Sequence, residues 1–248
     1  MMYNTIKFDK KAVKMVAHRG LSGLETKNTL AAFVAAGQRT YFGAECDIHC
    51  TADGKIVVIH DSSTKRVAGE NLVVEENSFD LVRKVILNNR DPEKTIAESP
   101  KDRGDLIIPT LQEYVRVCKK YGKTCVIELK GAFTPEQGAQ VVEEIKALDY
   151  LDGVVFISFD LQSLIDMRAL LPEQPIQYLV STYSPEVRET LNKYNLDLDI
   201  HFKGLTEEAL AEVHADGHVV NVWTVDDPAD GERLAAWGVD MITSNILE

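Results

Sequence analysis

Residues 124–170 read T-C-V-I-E-L-K-G-A-F-T-P-E-Q-G-A-Q-V-V-E-E-I-K-A-L-D-Y-L-D-G-V-V-F-I-S-F-D-L-Q-S-L-I-D-M-R-A-L. An apolar-rich strand at 124–130 is followed by a helical stretch at 135–148, then by a strand at 154–159 and a helix at 161–170. Towards the C-terminus the rhythm continues, with strands at 176–180, 196–201, 219–225 and 240–243 and helices at 185–194, 206–214 and 228–237. Towards the N-terminus, Thr110 caps a helix carrying Leu111, Tyr114, Val115 and Cys118, and Gly122 stops it. The first strand spans 13–17, a helix capped by Asn28 runs over 29–36 to a stop at Gly37, and the second strand begins at Gly43. That makes eight strands, each but the last followed by a helix. Alternation of this kind implies a parallel sheet with right-handed crossovers, and eight such units close a (β/α)₈ TIM barrel. An open doubly wound sheet is the runner-up; no glycine-rich phosphate loop follows the first strand to support it. Residues 62–108 are polar and lack the strand–helix rhythm, with Asn88-Asn89-Arg90-Asp91-Pro92 in their middle. They are expected to form a small insertion after the second strand of a single domain spanning 1–248.

The 248 residues carry a net charge of −12 and 45% hydrophobic residues, as a globular chain with ample core does. The negative charge argues against a nucleic-acid partner and obliges any anionic substrate to find locally placed cations. No apolar run approaches the roughly 18 residues of a membrane span, and residues 1–12 lack the apolar core of a signal peptide. Cys46, Cys50, Cys118 and Cys125 have no zinc-finger spacing and read as free thiols. The expected compartment is therefore the cytoplasm; a periplasmic or secreted chain trimmed of its leader would look the same.

Residues 43–61, G-A-E-C-D-I-H-C-T-A-D-G-K-I-V-V-I-H-D, collect the chemistry. Strand side chains alternate, so Glu45 and Asp47 share a face. The turn at 51–54 and the apolar run after it return the chain to His60 and Asp61. In a TIM barrel, reactive groups gather at the carboxyl ends of the strands. Those ends bring His18 and Arg19 from the first strand, Glu128 and Lys130 from the third, Ser158 from the fourth, His201 from the sixth, and Asn221 and Trp223 from the seventh. Glu45, Asp47 and Glu128 then converge, and like charges about 4 Å apart repel by roughly 4 kcal/mol at an effective dielectric of 20. Either one is protonated or a cation lies among them. An all-oxygen donor set suits Ca²⁺ or Mg²⁺ better than Zn²⁺ and leaves coordination positions for water or substrate. Arg19 can fork onto a phosphate and Lys130 adds a point charge. His18 and His60 are suited to giving and taking protons near neutrality.

The chain resembles the glycerophosphodiester phosphodiesterases, barrels related to phosphatidylinositol-specific phospholipases C. The resemblance rests on A-H-R-G (17–20), N-T-L-A-A-F (28–33) and E-C-D-I-H-C-T-A-D-G-K-I-V-V-I-H-D (45–61). I-P-T-L-Q-E (108–113), I-E-L-K (127–130), V-N-V-W-T-V (220–225) and G-V-D-M-I-T (238–243) add to it. It implies metal-dependent hydrolysis of a small glycerophosphodiester to glycerol phosphate and an alcohol. It assigns Glu45, Asp47 and Glu128 to the metal and the acid–base pair to His18 and His60, and Trp223 could pack against the glycerol or alcohol moiety. The family's usual Pro-Glu-Asn-Thr reads Thr26-Lys27-Asn28-Thr29 here, which makes Lys27 a substrate-side cation. The usual Asp after the last strand's Thr is Ser244. Two other readings are a phosphodiesterase for lysophospholipid or sphingomyelin, needing an apolar rim from residues 62–108, and a non-catalytic binding module of the same fold.

Overall fold

The computed structural model describes residues 4–68, 70–87 and 103–248; the Asn88–Pro92 run lies outside them. The first elements are β1 (Lys14–Ala17), α1 (Leu30–Gly37), β2 (Gly43–Cys50) and β3 (Ile56–Val58). Two short helices, α2 (Lys65–Ala68) and α3 (Phe79–Val82), precede α4 (Leu111–Tyr121) and β4 (Thr124–Leu129). Then come α5 (Pro135–Lys146), β5 (Val154–Ser158), α6 (Leu161–Leu170), β6 (Ile176–Val180) and α7 (Pro185–Tyr194). The chain closes with β7 (Asp197–His201), α8 (Glu207–Ala215), β8 (Val220–Trp223), α9 (Pro228–Trp237) and β9 (Met241–Ser244).

Eight of the strands pair in parallel in the order β1-β9-β8-β7-β6-β5-β4-β2, and β1 also pairs with β2, so the sheet closes on itself as a (β/α)₈ barrel. β3 is the exception. It runs antiparallel to the end of β2, where Ile48, His49 and Cys50 face Val58, Val57 and Ile56. This hairpin carries the chain back towards the barrel mouth.

Two apolar layers hold the strands. Facing the helices, Met15, Ala17, Cys46, Ile48, Ile127, Leu129 and Phe156 are buried against α1, α4, α5 and their successors. Facing inward, Val16, Val126, Val155, Ile157, Leu179 and Met241 fill the barrel. Period-two alternation then decides which polar residues face in above that plug: His18, Glu45, Asp47, Glu128 and Lys130 share the inward parity. Ser158 does not. It is on the outward parity of Phe156, and its hydroxyl donates to the Leu129 carbonyl at 2.8 Å.

Residues 63–68, 70–87 and 103–108 pack around β3 as a core of their own: Val57, Ile59, Val74, Val82, Leu106 and Ile108 are buried together, with Leu72 and Phe79 partly buried against them. These apolar groups face that small core. Leu72, Val74 and Phe79 thus serve that small core, while Leu81 and Ile86 of the same segment are exposed.

The α1 boundaries differ from the sequence expectation. Thr29, not Asn28, is the cap, its hydroxyl accepting from the Ala32 N–H at 3.2 Å. Gly37 is the last helical residue and the C-cap is Gln38. Asn28 is released for another task by its left-handed backbone, φ 55°. Among the described residues, no helix is long and apolar enough to cross a membrane, and the four cysteines are free.

Candidate active site

His18, Glu45, Glu128 and Lys130, with Arg19 and His60, line a cleft of about 110 Å³ at the carboxyl ends of the strands, and Asp47 is buried beneath them. β1 ends in a tight turn: Arg19 and Gly20 take φ values of 55° and 72°. A Cβ at Gly20 would lie 2.7 Å from Ala32, so only glycine lets the turn pack on α1. The turn aims the Arg19 N–H at Glu45, donating to Oε2 at 2.8 Å. It also sets the guanidinium Nε 3.2 Å from Asp47 Oδ2.

Glu45, Asp47 and Glu128 are buried, and one oxygen from each lies within 4.8 Å of the others. Asn28 holds Asp47 from the side, its amide donating to Oδ2 at 2.8 Å. Lys130 donates to Glu128 Oε1 at 2.9 Å and stands 3.7 Å from Asp47 Oδ1. Glu45 Oε1 and Asp47 Oδ1 are buried with no hydrogen-bond partner. Burial and the adjacent Asp47 charge hold the Glu45 carboxyl well above its ordinary range, and the same two causes push Glu128 up to about 8. At Asp47 burial acts upward too, and is overridden by Arg19, His60, Lys130 and the Asn28 hydrogen bond, which leave it well below. Cations and the Asn28 amide thus favour the charged form of Asp47, whereas burial and the Asp47 charge act against ionisation of Glu45 and Glu128.

Both histidines are held through Nδ1, by different partners. His18 Nδ1 lies 2.8 Å from Asn245 Oδ1, and the Asn245 amide donates to Asp226 Oδ2 at 2.6 Å. A carboxylate only accepts, so Asp226 fixes the amide and the amide oxygen fixes the proton on His18 Nδ1. Nε2, 3.9 Å from Glu45 Oε2, is left bare for a proton. His60 Nδ1 donates to Asp61 Oδ1 at 2.6 Å, and Arg66 grips that carboxylate at 2.6 and 2.9 Å. The buried His49 brings Nε2 to 3.1 Å from the His60 carbonyl and steadies the same turn. Burial, with Arg19 nearby, lowers His18 to about 3, and Lys27 is close enough to add to that shift. Burial lowers His60 as well, while Asp47 and the Asp61 hydrogen bond act upward.

Trp223 lines the opposite wall with Phe159, ring centroids 5.6 Å apart. His201 does not enter the cleft; its ring stands edge-on behind Trp223 at 5.2 Å. Asn221 lies deeper, accepting from the Thr243 hydroxyl at 3.2 Å. Sequence reasoning passed over Asn28, Asp61, Arg66, Phe159, Asp199, Asp226 and Asn245. Asp61 and Phe159 carried a local signal, being beside His60 and on the inward parity of Ile157. At the end of the barrel, Asn245 and not Ser244 reaches the site; Ser244 lies behind it and donates to Asp226 at 3.0 Å.

The profile of the glycerophosphoryl diester phosphodiesterase family matches residues 18–248. A glycerophosphodiester phosphodiesterase of Bacillus altitudinis is 27% identical over 235 residues, 92% of this chain and 93% of that one. An Oleispira antarctica phosphodiesterase, solved in complex with the product sn-glycerol-3-phosphate, is 27% identical with a TM-score of 0.83, covering 97% of this chain and 96% of that one. A Parabacteroides distasonis glycerophosphodiester phosphodiesterase is 27% identical with a TM-score of 0.76, covering 94% and 93%. Fold and site thus define a barrel enzyme of the phosphoric diester hydrolase class. The chain belongs to the glycerophosphoryl diester phosphodiesterase family.

Proposed function

We propose that this enzyme hydrolyses glycerophosphodiesters to glycerol phosphate and an alcohol, with a divalent cation held by Glu45, Asp47 and Glu128 and with His18 and His60 as the acid–base pair. The observation that carries this reading is the pair of bare, buried carboxylate oxygens, on Glu45 and Asp47, beside two imidazoles tied through Nδ1. The donor set fits a hard ion such as Ca²⁺ or Mg²⁺: it is all oxygen and converging. When bound, such an ion neutralises phosphate charge and acidifies a hydroxyl.

The protein's own groups divide the rest. Arg19 and Lys130 face the phosphate as cations in an otherwise negative molecule. Bare Nε2 of His18 takes the proton of the glycerol 2-hydroxyl, whose oxygen attacks phosphorus as the bond to the leaving alcohol breaks. His60, whose Nδ1–H is held by a carboxylate that acts against the lowering by burial, gives the Nε2 proton to that alcohol. Water then opens the resulting cyclic phosphate with the two roles exchanged. The difference in partners, an amide on His18 and a carboxylate on His60, favours base for the first and acid for the second. Trp223 packs against the substrate on the far wall.

Release of glycerol phosphate from choline, ethanolamine, serine and glycerol diesters, with Ca²⁺, Mg²⁺ or chelator present, tests the reading. No release from any of them under all three conditions would sink it. Lys27, whose charge reaches His18, is a substrate-side cation suited to an anionic leaving group. Lys27→Glu is expected to move preference from acidic head groups towards choline, changing KM more than kcat. An unchanged ranking would make it an ordinary surface lysine.

A further inference from the structure

The cleft has two unlike halves. β1, β2, β4 and the turn after β3 supply the charged and imidazole groups, whereas β5 to β8 supply Ile157, Phe159, Leu179 and Trp223. One acid interrupts the apolar half. Asp199 on β7 is 1% exposed and lines the cleft, and its Oδ1 has no hydrogen-bond partner. On the neighbouring strand β8, Nε1 of Trp223 is also buried without a partner. Native proteins leave few buried polar atoms bare, and each such atom calls for a reason. Asp199 stands opposite Asn221, two residues along the strands from the His201–Trp223 pair, and the two bare atoms are complementary: a carboxyl oxygen accepts in either protonation state, and the indole N–H only donates. A hydroxyl group satisfies both, donating to one and accepting from the other.

Strand order says which substrate arm brings that hydroxyl. Starting from β1, which carries His18, the barrel continues through β9 to β8 and β7, and so to Trp223 and Asp199. His60 lies on the other side, beyond β2 and β3. The arm whose hydroxyl gives its proton to His18 therefore runs along the Trp223–Asp199 wall, and the leaving alcohol departs past His60. We propose that Asp199 and Trp223 form a subsite for the terminal hydroxyl of the glycerol arm, with Asp199 the residue that selects a glycerol over a deoxygenated diol. This rests on His18 being the base at that arm.

The test uses two phosphodiesters of one alcohol, one built on glycerol and one on propane-1,2-diol. The second keeps the 2-hydroxyl and lacks only the terminal one. Sites built to hydrogen-bond a hydroxyl can reject its absence by up to about 10⁴–10⁵, so wild type is expected to prefer the glycerol diester by at least roughly 10²-fold in kcat/KM. Asp199→Leu should bring the ratio near one by slowing the glycerol diester alone. Asp199→Asn keeps the shape and an acceptor and should retain most of it. Calorimetric binding of glycerol phosphate and propanediol phosphate, with Ca²⁺ and again with chelator, reads the same preference without turnover. Equal binding of the two phosphates to wild type overturns the subsite, as does an equal loss on both diesters in Asp199→Leu. A preference that follows hydroxyls on the alcohol arm overturns it too. Wild type that binds the two phosphates unequally but cleaves neither diester would support the subsite while refuting the proposed reaction.

Discussion

Asp47→Asn and Glu45→Gln are each expected to lower kcat by about 10³-fold or more while leaving the barrel folded. A bound cation's stabilisation of developing charge is worth several kcal/mol, and each 1.36 kcal/mol is tenfold in rate. The two variants should part company in stability when metal is absent. Asp47 is held below its ordinary range by Arg19, His60, Lys130 and Asn28. Neutralising it leaves those partners uncompensated and should lower the metal-free Tm. Glu45 is held above its range by burial and by Asp47. Glutamine imitates the neutral form it already prefers, so at pH 8 the metal-free Tm should rise by a few degrees.

The pH dependence of the metal-free wild type follows from the same groups. Glu128 titrates at about 8 in the fold against 4.5 ordinarily, so the folded state holds more protons than the unfolded one in that interval and stability falls as pH rises. His18, lowered by burial from 6.5 to about 3, acts in the opposite sense below 6.5. The falling limb is therefore expected between about pH 6.5 and 8, and saturating Ca²⁺ or Mg²⁺ should shrink it to the part that buried Asp199 contributes, measured as Tm across that range. Full turnover after exhaustive chelation, or a limb that ignores the ion, would contradict the metal site.

His60→Ala should cost a glycerophosphodiester with a choline or ethanolamine leaving group roughly 10²–10⁴ in kcat, the range for a lost proton-transfer group. A nitrophenolate leaves without a proton. On a nitrophenyl diester the same variant is expected to stay within about tenfold of wild type, since the acid has little left to contribute. His18→Ala should be severe on both substrates, because its proton comes from the attacking hydroxyl whatever departs. The contrast between the two histidines is the informative result. Equal losses for His60→Ala on both diesters would mean that His60 does not protonate the leaving group and that the Asp61–Arg66 support serves structure instead.

The barrel was legible because its signals are local. Apolar strands between amphipathic helices fix the alternation, and period two puts Glu45 with Asp47 and Glu128 with Lys130 on one face without knowledge of any other strand. Hence the three carboxylates and both histidines could be named from the chain alone. Ser158 was within reach of the same rule, since its parity is opposite to Ile157 and Phe159 although it ends its strand. Asn28 was lost to a competing local rule: asparagine caps helices well, and only the left-handed turn beside Arg19 and Gly20 shows it bonded to Asp47 instead.

What the tertiary structure alone decided is the fine control of the histidines and the far wall of the cleft. Asn245 meets His18 across 227 positions of sequence because the last strand closes on the first, and Asp226 orients it from a loop on yet another strand. Asp199 faces the cleft with one bare oxygen because β7 sets it opposite Asn221, two residues along the strands from the His201–Trp223 pair. Residue type and spacing determine which face a side chain takes. Which protons it holds, and what stands opposite, depend on burial and on the closure of the barrel, and neither is a property of any local stretch.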